Sequence, residues 1–285
     1  MSRRTFIKNI GYAFAAGAAL RLPWASAQPV VAVPDAENSH PIDRIHQILI
    51  VDGFSLPSRL PDRIGIYMES LGRVYPAAQR TLWSGDAVRA LIAQEFDGNV
   101  LQAFDMLKPY AYKSDLGRLC ILFAQGGLYS DIALQHEQPW AIPTRYGFGI
   151  FNQAWRWRKT VSTVSNSLIW SQSKRAELAL AIERIVVHCR ERYYGDDPVD
   201  VTGPRVLGYA CAAAATDRWR KMLPDDQYRG VHEAPSLEVD LPFIARENER
   251  TVVAIRPHRR PGDWSGVGLG TNNYQTMWND RNVYV

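Results

Sequence analysis

The sequence predicts an α/β protein: one mainly parallel sheet flanked by helices in a single domain. Three observations predict it. Short apolar runs rich in β-branched residues alternate with longer stretches whose apolar side chains recur at helical spacing. Glycine and proline punctuate the junctions, most plainly at Gly126-Gly127 and Thr202-Gly203-Pro204. Composition is that of an ordinary globular protein, with 46% hydrophobic and 22% charged residues, and the chain is long enough for a substantial core.

The elements follow in order. Residues 45–51, IHQILIV, are mostly apolar and rich in β-branched side chains, the pattern of a buried strand. Asp52-Gly53 and Pro57 mark a loop, and 63–71 reads as a helix. A second strand is expected over 79–83. Ser84 or Asp86 can cap a helix over 87–96, and 99–107 forms another. The central helix is expected over 112–125, where the double glycine stops it and starts a turn. Strands follow at 128–131, 149–154 and 168–170. The longest helical pattern spans 174–192, with Leu178, Ile182, Ile185, Val186 and Cys189 at core spacing. Pro204 opens a helix to 215, in the first turn where its missing N–H costs little. Short strands are expected over 229–232 and 251–255, and a Gly-rich loop over 262–271.

The front of the chain reads differently. Residues 2–8, SRRTFIK, have the pattern of a twin-arginine export signal. A mildly apolar stretch over 10–20 follows, and Ala25-Ser26-Ala27 offers a cleavage site. Residues 1–27 are therefore expected to be a signal peptide, 28–40 a linker and 41–285 the folded domain. The apolar run is about half the ~20 residues a bilayer span needs. An uncleaved signal would still hold the protein at a membrane. The expected partner is the twin-arginine translocase, and the expected destination the bacterial periplasm or its membrane.

That segment also accounts for the net charge of +4. Arg3, Arg4, Lys8 and Arg21 lie in it without any acid; removing those four of 33 basic residues leaves 29, against 29 acidic. The remainder is formally neutral and has no basic footprint for nucleic acid, so that class of partner is excluded. Cys120, Cys189 and Cys211 lack metal-ligand spacing, and an odd count argues against a full disulfide framework. They read as buried thiols.

The stretch 113–134, KSDLGRLCILFAQGGLYSDIAL, carries the chemistry. Asp115 and Arg118 stand three apart, side by side on a helix. Tyr129 and Asp131 finish the strand that follows. Two carboxylates and a guanidinium thus converge where a strand ends, a common ligand position in an open α/β sheet. Taken alone, Asp115 and Arg118 read more simply as an exposed helical ion pair, and Asp131 could cap a turn. Gly-rich phosphate loops, CxxC pairs, HExxH and nucleophile elbows are missing from the sequence, so serine or zinc hydrolysis has no support.

This segment resembles the core of the glycosyltransferases with a DXD sugar-binding region, the group related to yeast initiation mannosyltransferases and to bacterial capsule and toxin sugar transferases. Lys113, Ser114, Asp115, Arg118, Leu122, Gly126, Gly127, Tyr129 and Asp131 stand at the family's positions, while Ala133 stands where the second acid belongs. Further pieces resemble the family in the correct order: 41–50 (PIDRIHQILI), Thr81-Leu82-Trp83, 165–169 (SNSLI), Thr202-Gly203-Pro204, and Asn272-Asn273-Tyr274 with Trp278, Arg281 and Tyr284. The resemblance spans 41–285. It implies a GT-A-like, Rossmann-related fold, and transfer of sugar from a nucleotide-sugar donor to a saccharide or lipid-linked acceptor with retention of configuration.

Carried over residue by residue, it implies donor contacts from Asp115, Arg118, Tyr129, Asp131, His46, Asn272, Asn273 and Trp278. Catalytic groups remain unassigned. A divalent cation, Mn2+ or Mg2+, commonly offsets diphosphate charge; with Ala133 in place, Asp131 would hold it through water. Trp155 and Trp157 alternate with Arg156 and Arg158, so an extended segment puts the aromatics on one face as a candidate acceptor wall. His46 also fits a hydrogen-bonded core histidine, and Lys113 a solvated helix start. His136 and Glu137 could replace the lost metal ligand or be ordinary loop residues. His258, Arg259 and Arg260 could steady phosphates or form a surface charge run. Ala133 and the export signal together leave a second reading, a non-catalytic exported carbohydrate-binding protein.

Overall fold

The computed structural model describes residues 38–155, 163–234, 240–247, 249–257 and 272–285. The expected signal peptide over 1–27, the linker up to 37, Trp157, the basic residues 258–260 and the Gly-rich loop over 262–271 lie outside the described residues.

The domain opens with β1 (Arg44–Ile48), α1 (Asp62–Val74) and β2 (Gln79–Trp83). Three helices follow: α2 (Gly85–Glu95), α3 (Gly98–Met106) and α4 (Tyr110–Gln125). Ser84 caps α2 by accepting from Ala87 N–H, and Asp97 caps α3 by accepting from Asn99 and Val100. Next come β3 (Gly127–Ser130), β4 (Gln135–His136), β5 (Phe148–Trp155) and β6 (Val164–Ser171). The remainder is α5 (Ala176–Arg190), α6 (Pro204–Arg220), β7 (Gln227–Ala234), β8 (Leu241–Glu247), β9 (Glu249–Arg256) and α7 (Tyr274–Asn279).

Among the described residues nine strands form one sheet, in the order β2-β1-β3-β6-β5-β7-β8-β9-β4. The α/β class is as expected, but the sheet is mixed rather than mainly parallel. Parallel pairing joins β1 to β2, β1 to β3 and β5 to β7, and the other pairs are antiparallel. A parallel pair needs a long crossover, which α1 and α2–α4 supply for β1, β2 and β3. β5 and β6, and β8 and β9, follow each other directly without an intervening helix and so pair antiparallel.

Each face of the sheet buries its own core. One gathers Ile48, Tyr129, Phe148, Ile150 and Ile169 beneath α2–α6. The other gathers Ile45, Leu128, Leu168, Trp170 and Phe151 with Leu71 of α1 and Trp140. The alternation of Leu128 and Tyr129, and of Leu168, Ile169 and Trp170, is the two-residue period of a strand buried on both sides. The three cysteines are free and buried, as expected.

The double glycine is required by close approach. Gly126 (φ +67°) ends α4, and Gly127 (φ +96°) starts β3. A Cβ on Gly127 would lie 2.6 Å from the backbone oxygen of Arg44, and one on Gly126 would lie 3.0 Å from that of Ser171. The helix thus turns straight into the strand, placing the polar side of α4 over Tyr129.

Candidate functional site

The chain runs from β1 outward to β2, then returns across to β3 on the other side of β1. In open α/β sheets the carboxyl ends of the strands at such a reversal are the usual ligand position. Asp131 sits there, one residue beyond β3, its N–H bonded to Ser167 O at 2.8 Å.

From α4, Arg118 lies over the Tyr129 ring at 4.7 Å and links the two acids. Its Nη2 is 3.0 Å from Asp115 Oδ1, and its Nη1 is 3.2 Å from Asp131 Oδ1. Nη1 also donates to Asn166 O at 2.6 Å, and Nε to Ser114 O at 3.1 Å. Tyr129 O–H donates to Asp131 Oδ1 at 2.8 Å. Asp115 accepts from Asn166 Nδ2 and from Thr202 Oγ1, both at 2.8 Å. Every oxygen of Asp115 is therefore engaged. Both Asp131 bonds fall on Oδ1; its Oδ2 accepts none among the described residues, and the side chain is 28% exposed against 13% for Asp115.

Burial pushes the Asp115 carboxyl above its ordinary value, while Arg118, Thr202 and Asn166 pull it down and the Asp131 charge pushes it up again. Tyr129 is also raised, by burial foremost and then by the neighbouring carboxylates. Asp115 and Arg118 are thus a buried pair fixed by third parties, which replaces the exposed helical pair expected from spacing alone. Asp131 is the outward-facing acceptor of the group, able to accept a hydrogen bond from a ligand hydroxyl.

The other expected site residues fall in different places. His46 is fully buried: its Nε2 bonds Gly126 O at 3.0 Å and its Nδ1 accepts from Trp83 Nε1 at 3.2 Å. Burial, chiefly, lowers it to about 4. Both nitrogens serve the fold, and the ring joins β1 to β2 and to the α4 stop. Asn272 accepts from Tyr110 N–H at 2.7 Å and donates to Lys108 O at 3.2 Å, so the tail supplies the N-terminal cap that α4 lacks locally. Asn273 caps α7, and Trp278 donates to Tyr194 O at 2.7 Å. Asn272 thus pins the tail to the start of α4, and Trp278 pins it to the segment after α5. Trp155 is the last residue of β5, paired with Ala234 of β7, and β5 runs parallel to β3 across β6.

Two expectations are corrected. Lys113 is buried rather than solvated, donating to Phe104 O, and burial lowers it to about 8. His136 is buried with Ser130 and Tyr75 on the α1 side of the sheet, away from Arg118. Asn166 and Thr202, which hold Asp115, were visible only as pieces of the strand and helix-start motifs.

A divalent cation fits this donor set poorly. Ala133 is buried and offers no oxygen, Glu137 accepts instead from Gln135 Nε2 at 2.6 Å, and Arg118 already neutralises Asp131 Oδ1. Among the described residues no three His, Cys, Asp or Glu side chains gather as a metal-ligand group.

A mixed α/β domain with an acid–guanidinium–acid cluster at its strand ends is the class that these features define. Residues 61–144 match the family described as glycosyltransferase sugar-binding region containing DXD motif. Asp115, Arg118, Tyr129 and Asp131 all lie inside the matched stretch. An uncharacterized glycosyltransferase of Acanthamoeba polyphaga mimivirus is 28% identical over 128 residues, 45% of this chain and 49% of that relative. The matched stretch spans about half the length of that protein. Among solved structures, the PaToxG glycosyltransferase is similar at 15% identity and a TM-score of 0.44, over 65% of this chain and 76% of its own. The ligand-free glycosyltransferase domain of the YGT toxin is similar at 10% identity and 0.49, over 67% and 80%. At these TM-scores the likenesses add nothing to the topology described above.

Proposed function

We propose that the protein transfers a sugar from a nucleotide-sugar donor to a saccharide or lipid-linked acceptor, with retention of configuration. The observation that carries this reading is the single network in which Arg118 joins Asp115 to Asp131 at the end of β3. Asp131 Oδ2 accepts hydroxyls of the bound sugar. Arg118 and Tyr129 hold its Oδ1, and Asp115, itself fixed by Asn166 and Thr202, holds Arg118 from behind. A preorganised acceptor of this kind costs no rearrangement when the ligand arrives.

We also propose that residues 1–27 direct export through the twin-arginine translocase, to the periplasm or to a membrane-held position. A membrane-held, cytoplasm-facing enzyme, or one using a lipid-phosphate donor, reconciles export with a donor made in the cytoplasm. Fractionation of tagged cells tests this: full-length protein found wholly soluble in the cytosol refutes it.

A panel of UDP- and GDP-sugars tests the catalytic reading by donor hydrolysis and transfer. Turnover is expected with at least one donor, and Asp131→Ala is expected to abolish it while the thermal melt stays cooperative. Saccharide binding without turnover of any donor would instead establish a non-catalytic carbohydrate-binding protein.

A further inference from the structure

We propose that this site grips its ligand without a divalent cation, because Arg118 occupies the electrostatic place beside Asp131 that a metal would take. The ligand class, a sugar nucleotide, rests on the function proposed above; the cation claim rests on geometry of its own. Asp131 Oδ1 is shared between Arg118 Nη1 at 3.2 Å and the Tyr129 hydroxyl at 2.8 Å, so one oxygen is already neutralised. The position two residues on, where a second carboxylate would complete a chelate, is a buried alanine. The nearest substitutes in sequence point elsewhere: His136 is bonded to Ser130 on the other face of the sheet, and Glu137 is exposed and bonded to Gln135.

Arg118 is built to stay where it is. Its side chain is 7% exposed, and it spends Nε and Nη1 on the carbonyls of Ser114 and Asn166 in addition to its two ion pairs. A hard dication needs several oxygen ligands, and would have to displace this guanidinium or share a single carboxylate oxygen with water. A sugar hydroxyl needs only the outward lone pairs of Asp131 Oδ2. The site is therefore matched to neutral donors of hydrogen bonds.

The experiment is a Mn2+ titration followed by the electron paramagnetic resonance of free Mn2+. It uses the full chain and its Asp131→Asn variant, each alone and with UDP or GDP present. Mn2+ binding that is equal in wild type and variant and, with UDP or GDP present, does not exceed that of the free nucleotide plus the protein alone is expected and supports the proposal. Mn2+ bound by wild type and lost from Asp131→Asn overturns it. Asp131→Asn removes a charge at a partly exposed position, and a cooperative melt of the variant certifies the comparison. Where a donor sugar turns over, the rate is expected to stay within about twofold in excess EDTA; a larger loss that added Mn2+ reverses overturns the cation claim alone. Failure to bind any sugar nucleotide counts against the proposed function, and the Mn2+ comparison still decides this one.

Discussion

Replacing Arg118 by methionine tests the centre of the site. The guanidinium is 7% exposed and makes four polar connections: to Ser114 O, Asn166 O, Asp115 and Asp131. Methionine fills much of the same length, so the loss is electrostatic rather than a cavity. Removing one partner of a buried ion pair leaves a buried charge uncompensated and costs about 3–5 kcal/mol. For a domain of this size that corresponds to a fall in Tm of roughly 6–20 °C. The sign of the pH dependence follows from Asp115. Arg118 now lowers its pKa against the opposing effect of burial, so the variant's Asp115 keeps its proton to higher pH than wild type. At low pH, where the carboxyl is protonated in both proteins, the gap is smallest; it widens as pH rises through the two folded-state values. Urea unfolding of both proteins from pH 4 to pH 8 measures this. A gap below about 1 kcal/mol at pH 7, or one that stays constant with pH, would falsify the buried-bridge account.

Two further perturbations probe how the frame holds the site. Gly127→Ala sets a Cβ 2.6 Å from Arg44 O at φ +96°, and is expected to cost at least about 1–3 kcal/mol. Gly98→Ala, where the Cβ meets open space, should be neutral or slightly stabilising by thermal melt. His46, held at about 4 in the fold against 6.5 when free, binds fewer protons folded than unfolded between those values. Stability should therefore rise with pH across that window, by roughly 3 kcal/mol in total. His46→Gln should flatten that part of the profile, and an unchanged slope would show that another group titrates there.

Local signals made much of the frame legible. The helical spacing of Asp115 and Arg118, the double-glycine stop and the strand alternation around Tyr129 all depend on a few neighbouring residues. They survive in the structure almost unchanged. β4 and β8 were not legible: β4 is two residues long, and β8 contains Pro242, which normally argues against a ladder position. The antiparallel part of the sheet was not legible for a related reason. Strand direction depends on whether a crossover intervenes, and the short strands that decide it were the faintest in the sequence.

By itself the sequence determined which acidic and basic side chains share a helix face and which aspartate ends the strand, because backbone periodicity dictates both within a few residues. Only the tertiary structure decided what those side chains are for. Asn166 and Thr202 reach Asp115 from 51 and 87 residues away, and Asn272 caps α4 from 162 residues beyond Tyr110. It also turned His46 and Lys113 into buried structural groups. Such partners are chosen by how the chain closes on itself, where burial makes every unmatched polar atom costly and so settles which distant group must meet it.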